Sequence, residues 1–240
     1  MMNHFDFDLD DIIFGRTDTR IVDCGDVIAN PRTLEENKNR ATEAVRLIIS
    51  RGTIPIVFGG DDSIPALVLN AFDSHKPITV LQFDAHLDFR DEVNGIKDGY
   101  SSPMRRASEM PWIDRIIHVG LRGLGSARPK DVADSRACGN VLVTAHRLFK
   151  EGIECVINEL PEGGNVFITI DCDGFDPSVM PGTSCPMPGG LDYWTGASIL
   201  EETAKKCRVL GIDIAEYFPS LDFQGITSLT LIRLLTTLSC

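Results

Sequence analysis

Three short stretches of the chain concentrate groups that bind hard cations: Gly59-Gly60-Asp61-Asp62-Ser63, Asp84-Ala85-His86-Leu87-Asp88 and Asp171-Cys172-Asp173-Gly174-Phe175-Asp176-Pro177. In an extended chain, residues two apart point the same way. Asp84, His86 and Asp88 can therefore present three ligands together, and Asp171 and Asp173 two more. Carboxylates crowded at one edge repel and raise one another's pKa unless a cation lies among them. This many ligands suggests two ions sharing bridging aspartates. A carboxylate-rich set with one imidazole and no thiolate favours Mn²⁺ or a similar hard cation over zinc. Two such ions can lower the pKa of a shared water and aim it at an electrophilic carbon. Blander readings exist. A lone Asp after a strand is most often a helix cap or turn residue, as Asp62 alone would be, and Asp176-Pro177 reads as a turn. A D-x-D-x-x-D run also occurs in calcium loops, but the Gly and Glu spacing of an EF-hand is absent.

The elements that must position these groups are legible as alternation. Arg20–Asp23, Ile54–Phe58, Ile78–Phe83, Arg115–Val119, Asn140–Thr144, Val166–Ile170 and Val209–Ile214 read as strands, most of them nearly continuous apolar runs. Helical patterns fall between them. The clearest runs from Leu34 to Arg51, with Thr33 and Glu36 as a capping box, an apolar stripe of Ala41, Ala44, Val45 and Ile48, and Gly52 at its end. Others fit Ile64–Phe72, Lys130–Ala137, Ala145–Asn158, Tyr193–Lys206 and Ile226–Leu238. The expected fold class is α/β: a three-layer α/β/α sandwich with a mainly parallel sheet, spanning 1–240 as a single domain. Ligands in such sheets bind where loops leave the carboxyl ends of the strands, which is where the three acidic stretches fall.

Composition narrows the partners. The 240 residues carry 35 acids against 23 Lys and Arg, a net charge of −12. That field repels polyanions, so nucleic acid and anionic membrane are poor partners, whereas a cationic substrate or metal is favoured. Seven scattered cysteines without a C-x-x-C pair read as reduced thiols. With no signal-peptide pattern and no long apolar run, a cytoplasmic protein is expected.

The segments GGDDS, FDAHLD and DCDGFDPSVMPGTSCPMPGG resemble, in order and spacing, the signatures of the ureohydrolases, the arginases, agmatinases and their relatives, whose patterns are approximately GGDHS, DAHxD and DxDxxDPxxxPGTGTPxxGG. IDIAEYFPSLD is similar to that family's DVVEVxPxxD, so the resemblance runs from about Arg20 to the end. It implies an arginase-like fold, a binuclear Mn²⁺ centre, hydrolysis of a guanidino group to urea and an amine, and a homo-oligomer, trimeric or hexameric. Carried over residue by residue, it implies Asp84 and Asp171 as bridging ligands, His86 and Asp173 on one ion, and Asp88 on the other. It further implies that Asp88 hydrogen-bonds the attacking oxygen and that Glu216 holds the guanidinium, a bidentate pairing that suits a permanent cation.

The chain departs from the family at several points. Asp62 stands where the family has a metal-binding His, so five carboxylates face the two ions instead of four. That extra charge should raise the pKa of the shared water and give a more alkaline optimum or an altered metal preference. The family's loop His, which passes a proton to the leaving amine, is replaced at Tyr100 in Gly99-Tyr100-Ser101-Ser102-Pro103-Met104-Arg105-Arg106-Ala107. A phenol, with an ordinary pKa of about 10, suits that task less well. His118 reads as a core or supporting residue in a strand, and His4, His75 and His146 as peripheral. The family's opening strand and GxRxGPxxIR loop have no counterpart before Arg20, and without that loop the cleft would be more open. Arg90 to Gly95, including Asn94, is expected to line the substrate entrance. There Arg90 would suit a guanidino acid, and Asp91 with Glu92 a cationic tail. Cys185 replaces the second Thr of PGTGTP and is a weaker hydrogen-bonding partner for substrate. These departures keep two alternatives open: a catalytically impaired member serving as a non-catalytic subunit, and a hydrolase of another amidine or formimino substrate.

Overall fold

Strands that read as unbroken apolar runs need cover on both faces. The computed structural model provides it; it describes residues 5–8, 10–12, 19–30 and 32–238, so His4 and Cys240 lie outside the described residues. A short antiparallel pair, β1 (Phe5–Asp6) and β2 (Asp11–Ile12), precedes the main body. Six parallel strands follow: β3 (Ile56–Phe58), β4 (Ile78–Phe83), β5 (Ile113–Leu121), β6 (Val141–Thr144), β7 (Asn165–Asp171) and β8 (Arg208–Ala215), in the order β3-β8-β7-β4-β5-β6.

Side-chain alternation divides the core in two. Leu81, Phe83, Ile117, Val119, Ile168, Ile170, Ile212 and Ile214 face one cluster, which is closed by α5 (Ala145–Glu151), α6 (Glu154–Ile157), α7 (Tyr193–Lys206) and α8 (Ile226–Thr237). Ile78, Val80, Ile116, Phe167 and Leu210 face the other, beneath α1 (Leu34–Ser50), α2 (Ile64–Leu69) and α3 (Pro103–Ser108), with Val132 of α4 (Pro129–Ala137) packed against it. The result is the expected three-layer α/β/α sandwich.

Some local expectations need correcting. Arg20–Asp23 forms no strand: the stretch from 19 to 30 has no regular structure, and Ile21 and Val22 are 74% and 71% exposed. β-Propensity describes fit to a paired, half-buried surface, and here no neighbouring strand supplies one. Thr33 and Glu36 do not make a capping box; the Thr33 hydroxyl donates to Glu36 Oε2 at 2.9 Å and caps no backbone N–H. The single helix expected over Ala145–Asn158 is two, because Gly152 takes φ +75° and ends α5. The short helix α3 was not anticipated; Pro103 at its first position starts it.

Candidate metal centre

The sheet order decides where the acidic stretches meet. From β4 the chain moves outward to β5, whereas from β7 it moves the opposite way to β8, yet β4 and β7 are neighbours. Such a reversal opens a crevice at the carboxyl ends of the two strands. Register completes the placement. Phe83 pairs with Ile170, so Asp84 and Asp171 leave the sheet side by side, and Asp171 pairs with Ala215, one residue before Glu216. On the far side of β8, Glu216 N–H donates to Gly60 O at 2.9 Å and thereby brings the Asp62 turn to the same edge. Neighbouring strands lie about 4.8 Å apart, a spacing across which two carboxylates can share a cation.

Two groups of ligand atoms result, each with all its atoms within 4.8 Å of one another: Asp84, His86 and Asp173, and Asp62, Asp84 and Asp171. Asp84 belongs to both. Asp88 belongs to neither, but burial and the neighbouring Asp62 and Asp84 act on its carboxyl. Local bonds aim several of these groups. His86 N–H donates to Asp84 Oδ1 at 2.5 Å, Asp173 N–H to Asp171 Oδ1 at 2.9 Å, and Ala85 N–H to Asp173 Oδ1 at 3.1 Å. His86 Nδ1 lies 3.0 Å from Asp173 Oδ2. The turn that delivers Asp173 packs so closely on β4 that a Cβ at Gly174 would sit 2.6 Å from the Asp84 nitrogen, which only glycine avoids.

The electrostatics are those of a cation site. Burial first, then repulsion from neighbouring carboxylates, holds Asp62, Asp84 and Asp171 well above the usual carboxylate range, and Asp88 is raised mainly by burial. The hydrogen bond to Asp173 raises His86. Both oxygens of Asp62 are buried without a hydrogen-bonding partner. An unpaired buried carboxylate costs several kcal/mol, on the order of the charge-burial penalty, unless a cation or proton accompanies it. The donor set therefore fits a pair of hard divalent ions. Asp88 and Glu216 also hold φ of +42° and +55°, a backbone strain concentrated at the site.

The remaining expected residues sit further out. Glu216 Oε1 accepts from Asp62 N–H at 3.2 Å, and Oε2 from the Ser184 hydroxyl at 2.7 Å. Tyr100 is 61% exposed, and Cys185 and Asn94 are also exposed, Asn94 in a turn at φ +54°. Arg90 is engaged: its Nη1 donates to Ser126 O at 2.9 Å and its Nε lies 3.6 Å from Asp131. Asp91 pairs with Arg106 at 3.1 Å.

Two residues near the site escaped the sequence reading. Ser184 orients Glu216, and its only signal was a hydroxyl in the Pro/Gly-rich loop. Arg122, after β5, ties the carbonyls of Gly120, Asp173, Gly174, Phe175 and Met187 together, bracing the turn that carries Asp173. Its signal was a lone Arg directly behind an apolar strand.

Comparison with known proteins accords with this geometry. The model described as Arginase family matches residues 3–240. The mitochondrial guanidino acid hydrolase of Homo sapiens is 30% identical over 226 residues, covering 92% of this chain and 64% of its own length. The mitochondrial agmatinase of Gallus gallus is likewise 30% identical, covering 92% of this chain and 66% of its own length. This chain thus spans slightly less than two thirds of either relative. Among solved structures, the proclavaminate amidino hydrolase of Streptomyces clavuligerus superposes with a TM-score of 0.82 at 26% identity, covering 90% of this chain and 73% of its own.

Proposed function

This chain belongs to the arginase family, and from that premise we propose that it is a metal-dependent ureohydrolase that splits a small cationic guanidino compound into urea and an amine. The observation that carries the proposal is the pair of ligand groups hinged on Asp84 at the β4/β7 crevice. Asp84, His86 and Asp173 would hold one Mn²⁺, and Asp62, Asp84 and Asp171 the second, with Asp88 beside both. When bound, the two ions would supply a water of lowered pKa for attack on the guanidino carbon.

The chain's own residues supply the rest. Glu216 binds the guanidinium, and Ser184 and the Asp62 amide keep its carboxylate turned to the site. Asp88, buried at the same edge, is suited to accept and return a proton at the attacking oxygen. Tyr100 stands at the exposed side, where a departing amine can take a proton from its hydroxyl or from solvent. Cys185 and Asn94 line the entrance. For Arg90 to read a substrate carboxylate it must leave Asp131, and Asp91 must leave Arg106 to read a cationic tail. The described cysteines are all free, which supports a reducing, cytoplasmic setting. No helix among the described residues is long and apolar enough to cross a membrane. A trimer or hexamer remains the expected assembly, to be read by light scattering.

The test is urea release by Mn²⁺-loaded protein from agmatine, arginine, 4-guanidinobutyrate, 3-guanidinopropionate and guanidine, across pH 7 to 10. Turnover of one compound is the expected result. Silence across the panel by folded, two-ion protein would overturn the proposal in favour of another amidine or formimino substrate, or of a non-catalytic subunit.

A further inference from the structure

Behind Asp84 lies a buried row of polar side chains that the proposed chemistry does not use. Gln82 of β4 and His118 of β5 are register partners, each at most 1% exposed, and His118 interrupts an otherwise apolar Ile116-Ile117-His118-Val119 run. Gln82 Nε2 donates to Asp84 Oδ2 at 2.5 Å. With a cation held among these ligands the Asp84 carboxylate is ionised and only accepts, which fixes the amide's orientation. Gln82 Oε1, 2.5 Å from His118 Nδ1, must then accept, so Nδ1 carries the ring's proton. His118 Nε2 is left bare and takes the Ser135 hydroxyl, 3.5 Å away on α4. Ser135 Oγ in turn accepts from Asn140 Nδ2 at 3.1 Å, and Asn140 Oδ1 from Ile116 N–H at 2.9 Å. Each bond along the row runs towards Asp84, while Asn140 Nδ2 also donates sideways to Ser108 Oγ at 3.3 Å.

We propose that Asn140, Ser135, His118 and Gln82 form a one-way hydrogen-bond relay that fixes the Asp84 carboxylate as the ligand shared by the two ion positions, and so sets how tightly the ions are held. Bonds aligned in one direction polarise one another, so the last of them grips the carboxylate more strongly than an isolated amide would. Gln82 occupies Oδ2 from behind, and the His86 amide occupies Oδ1. Together they define the carboxylate plane. Four buried polar groups beneath a strand end cost desolvation that an aliphatic residue at 118 would avoid. Holding Asp84 is the return. These four are positioning residues, and the inference rests on the two-ion reading above.

The test uses the full chain with Gln82→Met, His118→Leu and His118→Asn, the last of which restores an N–H near the Nδ1 position. Nitrogen NMR of protein loaded with diamagnetic Mg²⁺ reads the His118 tautomer, Mn²⁺ calorimetry reads affinity, and thermal unfolding checks the fold. We expect the Nδ1–H tautomer, an affinity loss of about 10- to 100-fold in Gln82→Met and His118→Leu, and near-complete rescue in His118→Asn. An Nε2–H tautomer, unchanged affinity in folded Gln82→Met, or His118→Asn as weak as His118→Leu would each overturn the relay. If Gln82→Met does not fold, the tautomer and the His118 pair still decide. Unmutated protein that binds two ions but releases no urea would sink the proposed function and leave the relay standing. Urea-releasing protein whose affinity ignores Gln82→Met would sink the relay alone, and failure to bind Mn²⁺ at all would sink both.

Discussion

Raising the pH of metal-free protein should loosen it, and Mn²⁺ should reverse the loss. Asp213 of β8 is fully buried; one carboxyl oxygen accepts from Thr169 at 3.0 Å and the other has no partner, and burial pushes its pKa up to about 8. Burial and crowding hold Asp62, Asp84 and Asp171 well above the usual range as well. Unfolding returns each carboxyl to about 4. Between those limits the folded state binds more protons than the unfolded one, so stability falls as pH rises. His118 works the other way: burial lowers it to about 3, so it favours the folded state increasingly as pH climbs to about 6.5, its unfolded value. The window from pH 6.5 to 8 therefore lies above the His118 contribution, and His86, raised by its hydrogen bond to Asp173, adds to the fall with the same sign as the carboxylates. Asp213 alone costs about 1.4 kcal/mol per pH unit there, up to about 2 kcal/mol across the window. For a chain of this size that is a fall in Tm of about 4–8 °C. Two ions, each at 100-fold its Kd, would return about 5 kcal/mol, or roughly 10–20 °C at pH 8. Scanning calorimetry of chelated and Mn²⁺-loaded protein at both pH values reads both effects. A metal-free Tm that is flat or rising from pH 6.5 to 8, or one that ignores Mn²⁺, would mean that these carboxyls are not held protonated in the fold.

Other perturbations separate the parts of the site. Ser184→Ala removes one of two donors to Glu216; the expected result is a KM for the guanidino substrate raised roughly 10-fold, matching the loss of a hydrogen bond to a charged group, with kcat less affected. Gly174→Ala drives a Cβ into the Asp84 backbone, and Mn²⁺ titration should show weakened binding at both positions together. Arg122→Met removes a donor from the carbonyls of Gly120, Asp173 and Gly174, the last of which keeps Leu191 N–H; a loss of about 2–4 kcal/mol in urea unfolding, alongside weaker metal binding, is expected. Asp62→His lowers the negative charge at the ions, so the rising limb of the pH–rate profile should move to lower pH; an unmoved profile would count against the charge argument.

The strands and the three acidic stretches were legible because each depends on local pattern. Unbroken apolar runs such as Ile78–Phe83 mark strands covered on both faces, and an Asp directly behind such a run marks the ligand-bearing edge. What was not legible depends on pairing. Arg20–Asp23 has strand composition but no partner strand, and composition cannot report that. The sharing of Asp84 between two ligand groups required the β4–β7 register. Gln82 and His118 looked like unrelated polar residues in separate strands until that same sheet made them neighbours. Arg90 and Asp91 looked free to meet a substrate, whereas long-range ion pairs with Asp131 and Arg106 engage both.

One chain is proposed to hold two ions on a shared Asp84 and to use them to release urea. Titrating metal-free protein with Mn²⁺, while counting bound ions and urea formed from the guanidino panel at each addition, tests it most directly. Two ions per chain are expected, with urea appearing as the second is taken up and both positions lost in Asp84→Asn. Urea release without metal, saturation at one ion with full activity, or two bound ions with no urea from any compound would contradict this.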